Sequence, residues 1–283
     1  MQLVDARHVV IGGSSSDAYA VVDLPEVRFH WFRLPGDANR AAGTFLAVSP
    51  GLDRVVWLTT RAESEIEGTD EVHFTTNAGD HVVASLPRPL GGRCGGPDDS
   101  KQAAHTHSGA HVYVLHQPIP PRNGLMVFEG ETAVVSELPP SGGWQDDAYP
   151  AMAIWSPTSE TLFYRQHGDV WRWSPGTDPE PFLPGVIWYQ PTITPDGRHL
   201  AYLAEGGMYL VDLAGDPNPR LIRSEGVQPV FLNSSQLWFL APVPGGCAAF
   251  PDEPMVYNIE DSSVAPSVID QVFGVWPATS SNH

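Results

Sequence analysis

A strand–turn–strand unit recurs along this chain and constrains its fold more than any other feature. Residues 191–203 predict a strand, a tight Pro-Asp-Gly turn and a second strand, and residues 153–164 repeat that pattern. The C-terminal stretch 272–277 has the pattern of the first strand of such a unit, whereas residues 8–34 have the pattern of the other three strands. A chain whose tail completes its head is expected to close into a ring.

The repeat has a period of about 40 to 45 residues, which is the spacing of β-propeller blades. Five units follow one another, at residues 43–87, 101–139, 148–184, 189–222 and 227–269. The sixth unit combines residues 271–277 with three N-terminal strands, at 9–11, 18–22 and 28–32. Stacking such blades around an axis buries the faces that a lone four-stranded sheet leaves open.

The composition supports many short strands. The 27 glycines and 28 prolines are spread along the chain, which predicts frequent tight turns, and hydrophobic residues make up 42%, which is enough for a core. We find no amphipathic helix of three turns in the sequence and no apolar run long enough to span a membrane. We therefore expect one all-β domain over residues 1–283.

The net charge of the chain limits the kinds of partner that it can bind. The net charge is −18 and Lys101 is the only lysine, so the surface should repel nucleic acid and anionic membranes. The first residues lack the pattern of a signal peptide, which predicts a soluble, cytoplasmic protein, although a secreted or periplasmic protein without its leader would look the same. A monomer is expected. Cys94 and Cys247 are too few for a disulfide framework, and free thiols are expected.

The repeat resembles that of TolB-type six-bladed propellers, within the WD-like propeller superfamily. Their Pro-x-x-Ser-Pro-Asp-Gly-like turn is matched best by residues 191–197, and in part by Ser156-Pro157 and Ser49-Pro50. The resemblance implies six four-stranded antiparallel blades, with the ring closed by a C-terminal strand that completes the N-terminal blade. It covers nearly the whole chain but does not fix a function, because the family includes periplasmic scaffolds, peptidase gating domains and carbohydrate lyases.

The two rims of the predicted propeller differ in loop length. Loops that join strands two and three, or one blade to the next, share a rim and are mostly long, at 61–70, 88–100, 118–123, 141–149 and 242–254. Long loops on one rim of a rigid scaffold commonly carry a binding site, so we expect the site at the channel mouth on that rim. Harmless accumulation of insertions is the alternative.

Polar residues of mixed charge are predicted to ring this mouth. Such a set suits a polar small molecule, a sugar, a peptide or a protein partner, and a water-filled channel with solvated walls is the alternative. The predicted ligand-binding residues are Arg40, Arg61, Lys101, Gln102, Arg165, His167, Trp188, Gln190, Glu205, Gln228 and Gln271.

A few side chains are candidates for catalysis or metal binding. The candidate catalytic residues are His105, His116, Tyr149, Tyr189 and Asp147. His105 takes a position that is apolar in other blades, so its imidazole needs a partner, as a hydrogen-bonded core residue, a general acid or base, or a metal ligand. Weak candidate metal ligands are His105, His107 and Asp146. No motif requires a cofactor, and a divalent metal is left open.

Two functions follow from these features. The first is a ligand- or protein-binding scaffold that uses the long-loop rim, favoured because no strong catalytic motif is present. The alternative is a single-domain lyase, hydrolase or isomerase that acts on a polar small molecule, sugar or peptide with His, Tyr and Asp acid–base residues.

Overall fold

The computed structural model describes residues 2–3, 8–12, 18–23, 26–33, 44–62, 67–89, 101–116, 124–135, 153–166, 168–215, 217–242 and 253–269. In this part of the chain the strands form six four-stranded antiparallel sheets, and no helix occurs. Within each sheet the four strands lie side by side in chain order. This arrangement confirms the predicted fold class, a six-bladed β-propeller of four-stranded antiparallel blades.

The chain divides into two compact units, and the first holds the three N-terminal sheets. Their strands are β1 (Gln2–Leu3), β2 (His8–Gly12), β3 (Ala18–Asp23), β4 (Arg28–Arg33), β5 (Thr44–Val48), β6 (Arg54–Ala62), β7 (Glu67–Thr76), β8 (Gly79–Pro89), β9 (Lys101–His105), β10 (His111–His116), β11 (Gly124–Glu129) and β12 (Thr132–Val135). The long hairpin of β6 and β7 corrects one prediction, because most of the loop expected at 61–70 is paired strand.

The second unit holds the other three sheets. Their strands are β13 (Ala153–Trp155), β14 (Leu162–Gln166), β15 (Asp169–Trp173), β16 (Glu180–Leu183), β17 (Tyr189–Ile193), β18 (His199–Ala204), β19 (Gly207–Asp212), β20 (Arg220–Arg223), β21 (Val227–Phe231), β22 (Gln236–Ala241), β23 (Glu253–Asn258) and β24 (Val264–Pro266). Each predicted repeat from residue 43 onward coincides with one sheet, so the period was predicted correctly.

The N-terminal sheet differs from the prediction in its first strand. The two-residue strand β1 pairs with β2 through Gln2 opposite Val10 and Leu3 opposite Val9. It supplies the edge partner that had been assigned to residues 271–277, which lie outside the described part of the chain. Closure of the ring by the C-terminus and the single-domain extent of the chain therefore stay predictions.

Turn chemistry explains why the first two strands of a sheet meet so tightly. The Thr194 hydroxyl oxygen accepts hydrogen bonds from the backbone N–H groups of Arg198 (3.1 Å) and His199 (2.8 Å). Gly197, at φ 72°, takes the left-handed conformation that the Pro-Asp-Gly turn needs. Ser49 serves the same purpose in the β5–β6 turn, where its hydroxyl oxygen accepts from the N–H of Arg54 at 3.0 Å.

Apolar side chains bury the faces between neighbouring sheets of each unit. In the first unit Phe74 and Phe128 meet edge to face at 5.2 Å, and β5 lies beside β9. In the second unit β17 lies beside β21, and Leu210 and Phe239 belong to one buried cluster. Burial of such faces is the main favourable contribution to folding. Among the described residues, no helix has the length and apolarity that crossing a membrane requires.

Candidate functional site

Strand register shows which strand ends lie at the same end of a sheet. In the sheet of β9 to β12 the first residue of β9, Lys101, lies opposite the last residue of β10, His116. Tyr189 likewise lies opposite Leu203, near the end of β18. We call this end, at which the second and third strands are joined, the 2–3 end, and the opposite end the 1–2 end. The predicted mouth residues on first and second strands therefore gather at the 2–3 end of their own sheets.

Two glutamines occupy matching positions at the 2–3 end of the second unit. Gln190 in β17 and Gln228 in β21 each precede a proline, and each has a positive φ, 50° and 56°. Only a few per cent of residues other than glycine adopt this conformation, which costs on the order of 1–3 kcal/mol. The pairing register shifts at both positions, so each strand is locally kinked where it begins.

The two kinks are joined by a hydrogen bond. The backbone N–H of Gln228 donates to Oε1 of Gln190 at 2.8 Å. Further along the same strands the N–H of Phe231 donates to the Thr192 hydroxyl at 3.4 Å. These bonds hold the two first strands side by side in the same direction. Gln228 is exposed, so its side-chain amide is available to a ligand, whereas the Gln190 oxygen is already engaged.

Three other predicted residues lie near the same end of their sheets. Glu205 is exposed in the turn between β18 and β19, and its backbone carbonyl accepts a hydrogen bond from the Tyr209 hydroxyl at 3.0 Å. Tyr189 and Arg165 are half-buried. Of these groups, the exposed amide of Gln228 and the exposed carboxylate of Glu205 can bind a polar ligand by hydrogen bonding and charge.

Trp188 corrects the predicted ligand-binding set. Its side chain is 0% exposed and packs edge to face against Tyr202, with ring centroids 6.0 Å apart. A fully buried indole does not contact a ligand, so Trp188 supports the start of β17 from within the core. An aromatic residue next to the first strand looks the same in sequence whether it faces the core or the channel.

His105 is also placed differently from the prediction. It is the last residue of β9, so it lies at the 1–2 end rather than at the predicted mouth. Burial, and then the positive charge of Arg54, lower its pKa to about 3, and Asp53 opposes them. The imidazole is therefore neutral at pH 7. Within the described residues neither ring nitrogen has a hydrogen-bond partner, so the hydrogen-bonded core interpretation stays a prediction.

The described part of the chain does not test the metal site predicted from His105, His107 and Asp146, because Asp146 lies outside it. A positive guanidinium beside His105 opposes a cation there. His107 is exposed in the turn that follows β9, and in the described residues no group of three His, Cys, Asp or Glu side chains could hold a metal ion.

The remaining predicted residues fall into two groups. Arg61, Lys101, Gln102 and His116 lie on β6, β9 and β10, where the structure gives the strand and its register but not their side chains. The residues outside the described part of the chain are Arg40, Asp147, Tyr149, His167 and Gln271. For both groups the assigned roles stay predictions.

A polar network in the sheet of β5 to β8 was missed by the sequence analysis. Nδ1 of His73 lies 2.9 Å from Oδ2 of Asp80, and because a carboxylate only accepts, His73 donates there. Nε2 forms a hydrogen bond with the Thr59 hydroxyl at 2.9 Å. The indole of Trp57 stacks on the imidazole at 4.0 Å, and its N–H donates to Thr75 at 2.8 Å.

The network has the carboxylate–imidazole–hydroxyl order of a hydrolase triad, but its burial assigns it another role. Thr59 is 2% exposed and His73 3%, so no substrate reaches the hydroxyl. Trp57 lies directly opposite His73, and Thr75 directly opposite Asp80, so the contacts are cross-strand pairs. They tie β6, β7 and β8 together.

No family model matches the sequence, and no curated protein matches it. Among solved structures, a prolyl endopeptidase matches with a TM-score of 0.55 and 12% identity, over 92% of this chain and 40% of the endopeptidase chain. A puromycin-hydrolysing peptidase of Mycobacterium tuberculosis matches with a TM-score of 0.49 and 13% identity, over 95% and 45% of the two chains. TolB of Agrobacterium tumefaciens matches with a TM-score of 0.43 and 12% identity, over 92% of this chain and 88% of the TolB chain.

These similarities concern the fold. The chain spans less than half the length of the two peptidases, and at 12% or 13% identity no activity is transferred from them. The endopeptidase match and the six four-stranded sheets agree on the architecture. The six four-stranded antiparallel sheets are the architecture that the resemblance to TolB-type propellers implied.

Proposed function

We propose that this six-bladed propeller is a binding protein that recognises a peptide segment of a partner at the 2–3 end of its second unit. The single observation that carries the proposal is the pair of kinked glutamines, in which the backbone of Gln228 is fixed by Gln190. A strained backbone that is held by a neighbouring sheet is a common feature of ligand sites.

The chemistry of this end suits a peptide. The Gln228 amide offers both a donor and an acceptor, which is what pairing with a peptide group requires. The exposed carboxylate of Glu205 and the net charge of −18 favour a segment that is neutral or basic. Because the kinks are held in place before binding, little conformational entropy is lost when a ligand is bound.

Selection from a random peptide library displayed on phage tests the proposal. We expect enriched peptides whose affinity falls about tenfold, equal to ~1.4 kcal/mol, in Gln228→Ala. Gln236→Ala is the matched control, because Gln236 begins β22 at the 1–2 end of the same sheet. The affinity of Gln236→Ala for the selected peptides should equal that of the parent protein.

Three outcomes would contradict the proposal. The first is a library from which no peptide is enriched, and the second is a peptide that loses affinity in Gln236→Ala but not in Gln228→Ala. The third is cleavage or other chemical change of the bound peptide, which would favour the enzyme alternative. Cytoplasmic location and a monomeric state are part of this proposal as predictions from the sequence.

A further inference from the structure

Two turns from neighbouring sheets meet in the first unit. They are the β5–β6 turn, residues 49–53, and the β9–β10 turn, residues 106–110. Pro50 Cδ lies 3.5 Å from the position that a Cβ atom would take on Gly109, and strands β5 and β9 run side by side. Arg54 leaves the first turn and His105 enters the second, so both side chains belong to this seam.

Four buried nitrogen atoms at the seam lack a protein partner. They are Nε and Nη1 of Arg54 and both ring nitrogens of His105, and none has a hydrogen bond within the described part of the chain. The guanidinium lies over the buried ring of Phe74, 5.6 Å from its centroid. Unpaired buried polar groups are rare and costly, and a charged one more so. Such a group in a native fold calls for an occupant that pairs with it.

Charge decides what kind of occupant fits. Arg54 is positive at any ordinary pH. The Asp53 carboxylate is exposed and accepts a hydrogen bond from the Ser49 hydroxyl at 2.5 Å, which also lowers its pKa, so it does not pair with the guanidinium. His105 is neutral and has one N–H to donate. The seam therefore offers buried N–H donors and the positive charge of Arg54, which attract an anion, while the exposed Asp53 carboxylate opposes it from the surface.

The same positions at other seams of the protein are different. The turns of different sheets can be compared position by position, because the N–H groups of Ser49, Ser156 and Thr194 each donate the backbone hydrogen bond that closes the turn. In each of these sheets the first strand ends at the residue before the turn. The residues that match Arg54 and His105 are Thr161 and Ile193 between the sheets of β13–β16 and β17–β20. Between the sheets of β17–β20 and β21–β24 they are His199 and Phe231. Only the Arg54–His105 seam, among these three, places two nitrogen-bearing side chains together.

We propose that Arg54 and His105 form a binding site for a small monovalent anion, of the size of chloride, at the seam between the sheets of β5–β8 and β9–β12. The guanidinium N–H groups and the His105 N–H donate to the anion, which neutralises the buried charge. Because the anion contacts both sheets, its binding stabilises their contact. This site is at the 1–2 end and is independent of the proposed peptide site.

The test uses chloride and bromide as probes on the full chain. Crystals soaked in sodium bromide should give an anomalous bromine peak beside Arg54 and His105. Thermal unfolding should occur roughly 2–4 °C higher in sodium chloride than in sodium gluconate at equal ionic strength. The double variant Arg54→Thr/His105→Ile copies the Thr161–Ile193 seam, so it is expected to fold, and its unfolding temperature should be the same in both salts.

Arg198→Met is the matched control, because Arg198 is an exposed arginine of the second unit. It should keep the full difference between chloride and gluconate. The proposal is overturned if the seam contains a water molecule without anomalous signal. It is equally overturned if the double variant responds to chloride as strongly as the parent protein does.

Discussion

Gln190 and Gln228 stand at the same position of neighbouring repeats, yet in the described part of the chain only the Gln190 side chain is engaged in a hydrogen bond. The Gln190 oxygen is used to hold the next strand, which leaves the exposed Gln228 amide to face solvent. His105 also differs from the residue at the same position of another repeat, but here the difference buries a polar group instead of exposing one. It stands where Ile193 stands in another repeat, and the exchange creates a buried polar group at a place where the repeat normally buries hydrocarbon. Single exchanges of this kind are what distinguish sheets that are otherwise alike.

The titration of His105 makes stability depend on pH. Its folded pKa of about 3 is below the ordinary value of 6.5, so the unfolded chain binds the proton more readily between those values. Stability from this group is fully present above pH 6.5 and is lost as the pH falls towards 3. In gluconate, the unfolding free energy of the parent protein should fall by about 2 kcal/mol more than that of His105→Ile between pH 6.5 and 4.5.

Urea unfolding at the two pH values measures this difference. The charged groups that face His105 are Arg54 and Asp53, and both are retained in His105→Ile, so the comparison isolates the imidazole. Parallel pH profiles of the two proteins would show that His105 titrates normally in the folded state.

At the scale of elements, β6, β7 and β8 are joined by more than their backbone ladders. The chain of contacts from Trp57 through His73 to Asp80 crosses all three strands. A blade with such a network resists slippage of one strand against the next, because a shift of one residue would turn His73 away from both partners. The network therefore fixes register in the longest hairpin of the first unit.

Replacing His73 should destabilise this sheet strongly. His73→Ala removes the stacked ring from Trp57 and the hydrogen-bond partner of the Thr59 hydroxyl and of Asp80, so we expect a loss of about 2–4 kcal/mol in the free energy of unfolding. His81→Ala is the control, because His81 is an exposed residue of β8, and it should change the free energy by less than about 0.5 kcal/mol. Equal losses in the two variants, measured by urea unfolding, would show that the network contributes nothing beyond surface contacts.

The sequence analysis predicted the strands well because turn residues and alternating apolar positions are local signals. It failed where a side chain depends on partners from other strands. The His73 network requires the register of three strands at once, which no local pattern contains. Trp188 was predicted to contact a ligand, but the sequence does not show which face of the sheet it lies on, because packing against the neighbouring sheet decides that. His105 was correctly noticed as a polar residue in an apolar position, but its missing partner and its end of the sheet became visible only in the structure.

At the scale of the whole molecule, the fold is a scaffold that repeats one sheet six times and differs in what each sheet presents. The two proposed sites lie at opposite ends of their sheets. The 2–3 end of the second unit carries the strained glutamines and the exposed carboxylate, and we assign peptide binding to it. The 1–2 end of the first unit carries the anion site, which serves stability. The endopeptidase similarity concerns only the fold.

Hydrogen–deuterium exchange with and without a peptide from the library tests the binding assignment most directly. The account predicts that bound peptide slows exchange at the starts of β17 and β21, residues 189–192 and 227–230, and at the Glu205 turn. The turns at 195–198 and 233–236, at the 1–2 ends of the same sheets, should exchange at unchanged rates. Protection of those turns, with no change at the glutamine kinks, would contradict the account.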